Sequence, residues 1–320
     1  MSDKGAVLVT GASGLVGRQV VAALASEAER SIVALDLHDP APEARHDSVL
    51  YLTGDIRDPQ LAKIFESHGV EVVVHLAAIV TPGKVSADLE YSIDVLGTDN
   101  VIQACLHAGV RQLVYASSGA AYGFHADNAV PLRETDPLRG NDEFAYAKHK
   151  RLAEELLARA RRDSPDLRQL IFRPGTILGA TVASPITAMF ERPVIFGVVG
   201  SEIPFVLIWD EDVAAAIVKG IREERSGIYN LAGDGSVPLR EIAQRLGRRY
   251  VPLPASALKA ALWLAHRLHL ADRGPEQADF LRYRPVLSNE KLRSEFDFTP
   301  RYTSDECLEH YRELRFGPPQ

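Results

Sequence analysis

The 320-residue sequence predicts an α/β protein, a doubly wound parallel sheet followed by a smaller α/β lobe. Three observations carry that prediction. Runs of Val, Ile and Leu alternate with helical patterns from the start to about Phe172, as in a parallel sheet covered on both faces. The first apolar run leads into glycines three apart, Gly11, Gly14 and Gly17, where an amphipathic stretch begins. After Pro174 the rhythm breaks, and residues 180–209 carry only Glu191, Arg192 and Glu202 as charges.

In chain order, the expected strands cover roughly residues 5–10, 31–36, 48–53, 71–76, 112–116 and 167–172. Helices are expected at 15–28, from Asp58-Pro59 (acid cap, proline at the first position) to His68-Gly69, from Ser86 to Ala108 with Gly109 as terminator, and at 143–162. The second part reads as a helix at 210–221, a short strand at 228–231, a helix from Pro238 to Gly247 and an extended Val251–Pro254. A mostly apolar helix follows at 256–270, then two short helices capped by Ser288 and Ser304. The 256–270 helix is too short to span a bilayer. A cap on the lobe is favoured for it over a membrane-surface or interface role.

A net charge of −7 leaves no basic surplus to neutralise phosphates, which excludes nucleic acid as the main partner. Cys105 and Cys307 lie in unrelated helical segments and show no metal or disulfide spacing, so no metal and a reducing cytoplasm are expected. His75 has no ligand-spaced partner and reads as structural or cofactor-lining. The run at residues 6–9 enters the glycine turn rather than a cleavage site, and no apolar stretch is long enough for a membrane span.

Ligands of such sheets sit at the carboxyl ends of the strands. Gly11 suits a tight turn, Gly14 lets a diphosphate approach the backbone, and Gly17 lets the helix lie close on the sheet. Asp36 ends the second strand, nineteen residues after Gly17, where a carboxylate would hold ribose hydroxyls. Asp55 and Ile56 follow strand three, placed for an adenine amino group and ring, and the small Leu76-Ala77-Ala78 follows strand four. Strand five ends in Ser117-Ser118-Gly119-Ala120, and Tyr146 and Lys150 share one helix face at i and i+4. Ser118 would hold a substrate oxygen, Tyr146 would transfer its proton, and the Lys150 ammonium with an oxidised nicotinamide would lower the phenol's pKa.

As a set, Gly11–Gly17, His75–Ala78, Tyr115–Ser118 through Tyr122-Gly123, Tyr146 with Lys150, Arg173-Pro174-Gly175, Asp210–Ala214 and Lys291-Leu292 through Phe298–Tyr302 resemble the extended, epimerase/dehydratase-like branch of the short-chain dehydrogenase/reductase superfamily. The resemblance implies a Rossmann-type NAD-binding domain over residues 1–175 and a substrate lobe over 176–320, with some return of chain to the first domain. The implied cofactor shell is Gly11, Ser13, Gly14, Leu15, Val16, Gly17, Asp36, Leu37, Asp55, Ile56, Leu76, Ala77, Ala78, Ala116, Ser117, Tyr146, Lys150, Pro174, Gly175 and Thr176. Ser118, Tyr146 and Lys150 are the implied catalytic residues. Ser118, Gly119, Ala120, Tyr146, Arg192 and Phe205 are expected around the substrate. A homodimer paired through the helices around 100–108 and 146–157 is also implied.

The departures from that pattern narrow the chemistry. Dehydratases of the branch carry Asp-Glu after the serine, where this chain has Gly119-Ala120. Epimerases usually have an Asn shortly after the strand-six arginine, where Pro174-Gly175-Thr176 stand. The place of a diphosphate-gripping arginine falls near Phe205, Trp209 replaces a common His, and Asp94 replaces a helix Asn. The expectation is NAD-dependent hydride transfer on a fairly apolar secondary alcohol or ketone. Sugar or nucleotide-sugar 4-epimerisation with retained NAD is the alternative, and a non-catalytic NAD-binding regulator a minor one.

Overall fold

A computed structural model describes residues 4–81, 85–267 and 277–317. In the first part, β1 (Ala6–Thr10), α1 (Leu15–Glu27), β2 (Ile32–Asp36), β3 (Val49–Thr53), α2 (Leu61–Ser67) and β4 (Val70–His75) follow one another. Next come α3 (Ala87–Tyr91), α4 (Thr98–His107), β5 (Gln112–Ala116), α5 (Ala145–Asp163) and β6 (Arg168–Pro174). The remaining elements are β7 (Thr176–Leu178), α6 (Pro185–Phe190), β8 (Val194–Val198), β9 (Pro204–Phe205), β10 (Leu207–Trp209), α7 (Asp210–Arg222) and β11 (Gly227–Leu231). Last are β12 (Val237–Pro238), α8 (Leu239–Arg245), β13 (Arg249–Leu253), α9 (Ala255–Arg267), α10 (Gln277–Arg282), α11 (Glu290–Ser294) and α12 (Ser304–Phe316).

Seven strands form one parallel sheet in the order β11-β6-β5-β4-β1-β2-β3. The order reverses between β1 and β4, so their carboxyl ends diverge and open a crevice. The central strands are apolar on both faces because helices cover both. Val7, Val9 and Val74 pack with Val20 and Leu24 of α1 and with Val213 and Ile217 of α7. Leu8, Val73 and Leu113 pack with Leu61, Ile102 and Leu157 of α2, α4 and α5. Residues 210–231 therefore return to the sheet from the second part of the chain. A separate core of Phe190, Phe205, Trp209, Leu239, Leu308 and Tyr311 holds the smaller lobe.

Four local features differ from the sequence expectation. Asp58-Pro59 forms a turn in which the Asp58 carboxylate accepts from the Gln60 amide, so α2 starts only at Leu61. The expected 86–108 helix is interrupted by a π-turn over Ser92–Gly97. Such a turn widens the hydrogen-bond ring by one residue and re-aims the side chains beyond it. Thr303 rather than Ser304 caps α12, closing a capping box with Glu306, while Ser304 is buried and donates to the Gly235 carbonyl. Asn289 rather than Ser288 occupies the cap position of α11. Of the helix expected at 256–270, residues 268–270 lie outside the described residues. Its described part ties to α10 through Lys259–Asp279 and packs Leu258 on the lobe core.

Candidate active site

The crevice opens into a cavity of about 870 Å³ reaching from the β1–α1 turn to the lobe. Gly11 sits at φ 68°, a left-handed conformation in which a side chain would also strike the Ala77 backbone. A Cβ on Gly17 would lie 2.1 Å from the Gly11 carbonyl oxygen, so only glycine lets α1 come this close to the turn. Gly14 precedes α1 with no side-chain cap, leaving the first-turn amides at Leu15 and Val16 facing the cavity. Such amides, with the helix dipole, suit a diphosphate. Asp36 accepts from the Ser13 amide at 2.9 Å and the His38 amide at 3.3 Å, which fixes its carboxylate at the cavity rim. Asp55, Ile56, Leu76, Ala77 and Ala78 line the same end. Hydrogen bonds from Arg57 hold the Asp55 carboxyl below its ordinary range. These residues form a cradle that fits a dinucleotide.

Ser118 and Tyr146 face the cavity together, brought there by the end of β5 and the first turn of α5. Burial raises the Tyr146 phenol above its ordinary value; the Ser118 hydroxyl beside it pulls the other way, and Asp94 adds to the rise. Lys150 lies one turn on. Its ammonium donates to the Ala116 carbonyl at 2.7 Å and to the Tyr115 hydroxyl at 3.3 Å. It stands 6.0 Å from the Tyr146 ring centre. Burial pushes Lys150 down to about 8, against the opposing pull of Asp94 and Glu154. Lys150 is thus a fixed cation below about pH 8 that stands behind the phenol.

The shell under these groups is polar and closed. Arg173 and Glu154 make a two-pronged buried pair, at 2.9 Å and 2.6 Å. Ser117 donates to Glu154, and Arg173 donates to the Tyr122 hydroxyl at 2.7 Å. Asp94 accepts from the Ile79 amide at 2.7 Å and pairs with His149 at 3.0 Å, so this carboxylate pins the loop after β4 to α5. His75 bridges Thr10 at 2.8 Å and Thr98 at 3.0 Å. Burial, with the Lys150 charge, holds it neutral by pushing it down to about 3.

A model of the NAD dependent epimerase/dehydratase family matches residues 7–232. The chain belongs to that family. NAD is accordingly its cofactor, and it is an enzyme of the extended short-chain dehydrogenase/reductase type. An uncharacterized protein of Mycobacterium tuberculosis is 26% identical over 310 residues, covering 95% of this chain and 82% of the relative. A UDP-glucose 4-epimerase of Halalkalibacterium halodurans is 36% identical over 146 residues, covering 45% of this chain and 43% of its own length. In fold, the chain is similar to an NAD-bound short-chain dehydrogenase/reductase superfamily protein of Agrobacterium tumefaciens (TM-score 0.74, 23% identity, 97% of both chains). It is also similar to the UDP-glucose 4-epimerase of Thermotoga maritima (TM-score 0.75, 20% identity, 97% and 98% covered).

Within this family member, the structure does not bring every expected residue to the cavity. Ala116 reaches the site only through its carbonyl on Lys150, and Ser117 turns inward to Glu154. Pro174, Gly175 and Thr176 line the cavity, as do Gly119 and Ala120. Arg192 is exposed at the end of α6, away from the lining, because that helix turns its apolar side to the lobe core. Phe205 is buried in that core rather than lining the cavity.

Sequence reasoning missed Arg284. This arginine lines the cavity, donates to the Thr176 hydroxyl at 3.3 Å and lies 4.1 Å from the centre of the Phe205 ring. A guanidinium thus stands beside the Phe205 ring, supplied by a segment far from it in sequence. Phe124, Phe144 and Phe280 form an aromatic wall that sequence reasoning also left unassigned, since no local pattern joins them.

Proposed function

We propose that the protein catalyses NAD-dependent hydride transfer on a secondary alcohol or the matching ketone, with a fairly apolar substrate. The observation that supports this most is Ser118 and Tyr146 sharing one cavity wall with Lys150 fixed behind them. Ser118 positions the reacting oxygen by hydrogen bond, and Tyr146 gives or takes its proton. Gly11, Gly14, the first amides of α1 and Asp36 would hold the diphosphate and ribose, and Lys150 the nicotinamide ribose. NAD bound there supplies the hydride acceptor or donor, and in its oxidised form the positive charge that lowers the Tyr146 phenol. The raised resting phenol suits proton donation to a ketone oxygen, and the Ser118 hydroxyl limits that rise. Gly119-Ala120 supply no acid/base pair for dehydration.

The alternative, 4-epimerisation of a sugar or nucleotide sugar with NAD retained, draws support from the Halalkalibacterium match and from a cation in the cavity. We take residues 1–175 as the NAD-binding domain and 176–320 as the substrate lobe, and infer a cytoplasmic homodimer paired through α4 and α5. Sedimentation at micromolar concentration tests the dimer. The chemistry is tested by Tyr146→Phe. Turnover should fall on the order of 10²- to 10⁴-fold, with NAD affinity little changed by calorimetry. Net NADH formation from an alcohol favours the dehydrogenase. Turnover of a nucleotide sugar without net NADH favours the epimerase, and unimpaired turnover in the Phe variant defeats both.

A further inference from the structure

Between Tyr146 and the lobe, the cavity wall is built from aromatic faces. Phe144 lies 6.2 Å from the Tyr146 ring and stacks on Phe280 at 4.7 Å, 22° from parallel. Phe124 meets both Phe144 and Phe280 at 5.5 Å. Such a wall attracts flat apolar groups and offers nothing to the ring hydroxyls of a sugar. Each hydroxyl buried there without a partner would cost affinity. At the far end of the wall stands Arg284, 5.9 Å from the Phe124 ring.

A guanidinium has five N–H donors. Arg284 donates to the Thr176 hydroxyl, and its guanidinium lies over the Phe205 ring. Among the described residues no carboxylate lies within ion-pair distance of it, whereas the buried Arg173 has Glu154. Burial depresses Arg284 to about 10, so it stays charged at neutral pH with no carboxylate among the described residues to pair with it. A half-buried cation on the cavity wall, with unused donors and no acid beside it among the described residues, is a site prepared for an anion that arrives with the ligand.

Resting on the reading that Tyr146 and Ser118 handle the reacting oxygen, we propose that the substrate is an amphiphile. Its secondary alcohol or ketone is carried on a flat apolar skeleton lying on Phe124, Phe144 and Phe280. Its single oxyanion group, a carboxylate or a phosphate, is held by Arg284 and Thr176.

The test uses the full chain with NAD⁺ and four probes: 4-(1-hydroxyethyl)benzoate, the corresponding aryl phosphate, the neutral methyl ester of the benzoate, and UDP-glucose. Wild type should prefer an anionic probe to the ester by on the order of 10- to 100-fold in kcat/KM. That preference should collapse toward one in Arg284→Met and be partly kept in Arg284→Lys, which also controls for misfolding. The benzoate and the aryl phosphate separate the two anion types. Binding is read independently by saturation-transfer NMR on Tyr146→Phe with NAD⁺. Anionic-probe binding that needs Arg284, without turnover by wild type, supports the substrate class and defeats the proposed reaction. Turnover of the ester equal to that of both anions overturns the substrate class and leaves the reaction standing. Preferential binding of UDP-glucose, or binding of no probe at all, also overturns it.

Discussion

Replacing Arg173 with Met removes the cation from a pair closed to water on both sides. The side chains of Arg173 and Glu154 are 4% and 3% exposed, and the guanidinium grips both carboxylate oxygens. Arg173→Met leaves the Glu154 carboxylate buried with only the Ser117 hydroxyl as a described partner, and it removes the N–H donor to the Tyr122 oxygen, whose own O–H still donates to Asn230. Breaking a buried pair from one side costs about 3–5 kcal/mol, because the surviving charge stays desolvated. Removing both charges avoids that penalty. The double variant Arg173→Met/Glu154→Leu should lose only the hydrogen bonds to Tyr122, Ser117 and the Glu134 carbonyl, about 2 kcal/mol in total. The double variant should thus be more stable than Arg173→Met alone by about 1–3 kcal/mol. Urea unfolding of the four proteins at pH 7.5, with equal m-values, measures this cycle. If the two single losses simply add, within about 0.5 kcal/mol, the pair is not coupled and the reasoning fails.

Gly17→Ala should weaken NAD binding at least about tenfold by calorimetry and lower stability by about 1–3 kcal/mol, since α1 must retreat from the Gly11 carbonyl; wild-type affinity in this variant would refute the close-packing argument. His75 is pushed to about 3 in the folded protein against 6.5 for an unperturbed imidazole. Between those values the unfolded chain binds the extra proton, so stability falls as pH drops below about 6.5, by about 1.4 kcal/mol per pH unit from this group. His75→Asn, whatever its absolute stability, should show a shallower loss between pH 6.5 and 5 in urea melts; an unchanged slope would count against a neutral buried His75.

Much of the sheet was legible because its signals are local. Continuous Val/Ile/Leu runs mark strands buried on both faces, and glycine spacing marks a turn that a diphosphate can approach. The i, i+4 spacing of Tyr146 and Lys150 follows from helix geometry alone. Helix starts were less legible. Asp58-Pro59 and Ser304 carry capping chemistry, but neighbouring Gln60 and Thr303 took the cap positions once tertiary contacts to Asn100 and Gly235 formed.

The sequence by itself determined the sheet, the cofactor class suggested by the glycine turn with Asp36, and the spacing of Ser118, Tyr146 and Lys150. Each of these depends on neighbours within a few residues or on the fixed direction of a strand. Tertiary structure alone decided which charges face the cavity. Arg192, which stood out in an apolar segment, went to solvent, whereas Arg284 was brought onto Phe205 and Thr176. Ser117 was drawn to Glu154 although it adjoins Ser118. Side chains far apart in sequence meet only when packing has set the distance between elements, and the cost of burying a charge depends on which of them it meets.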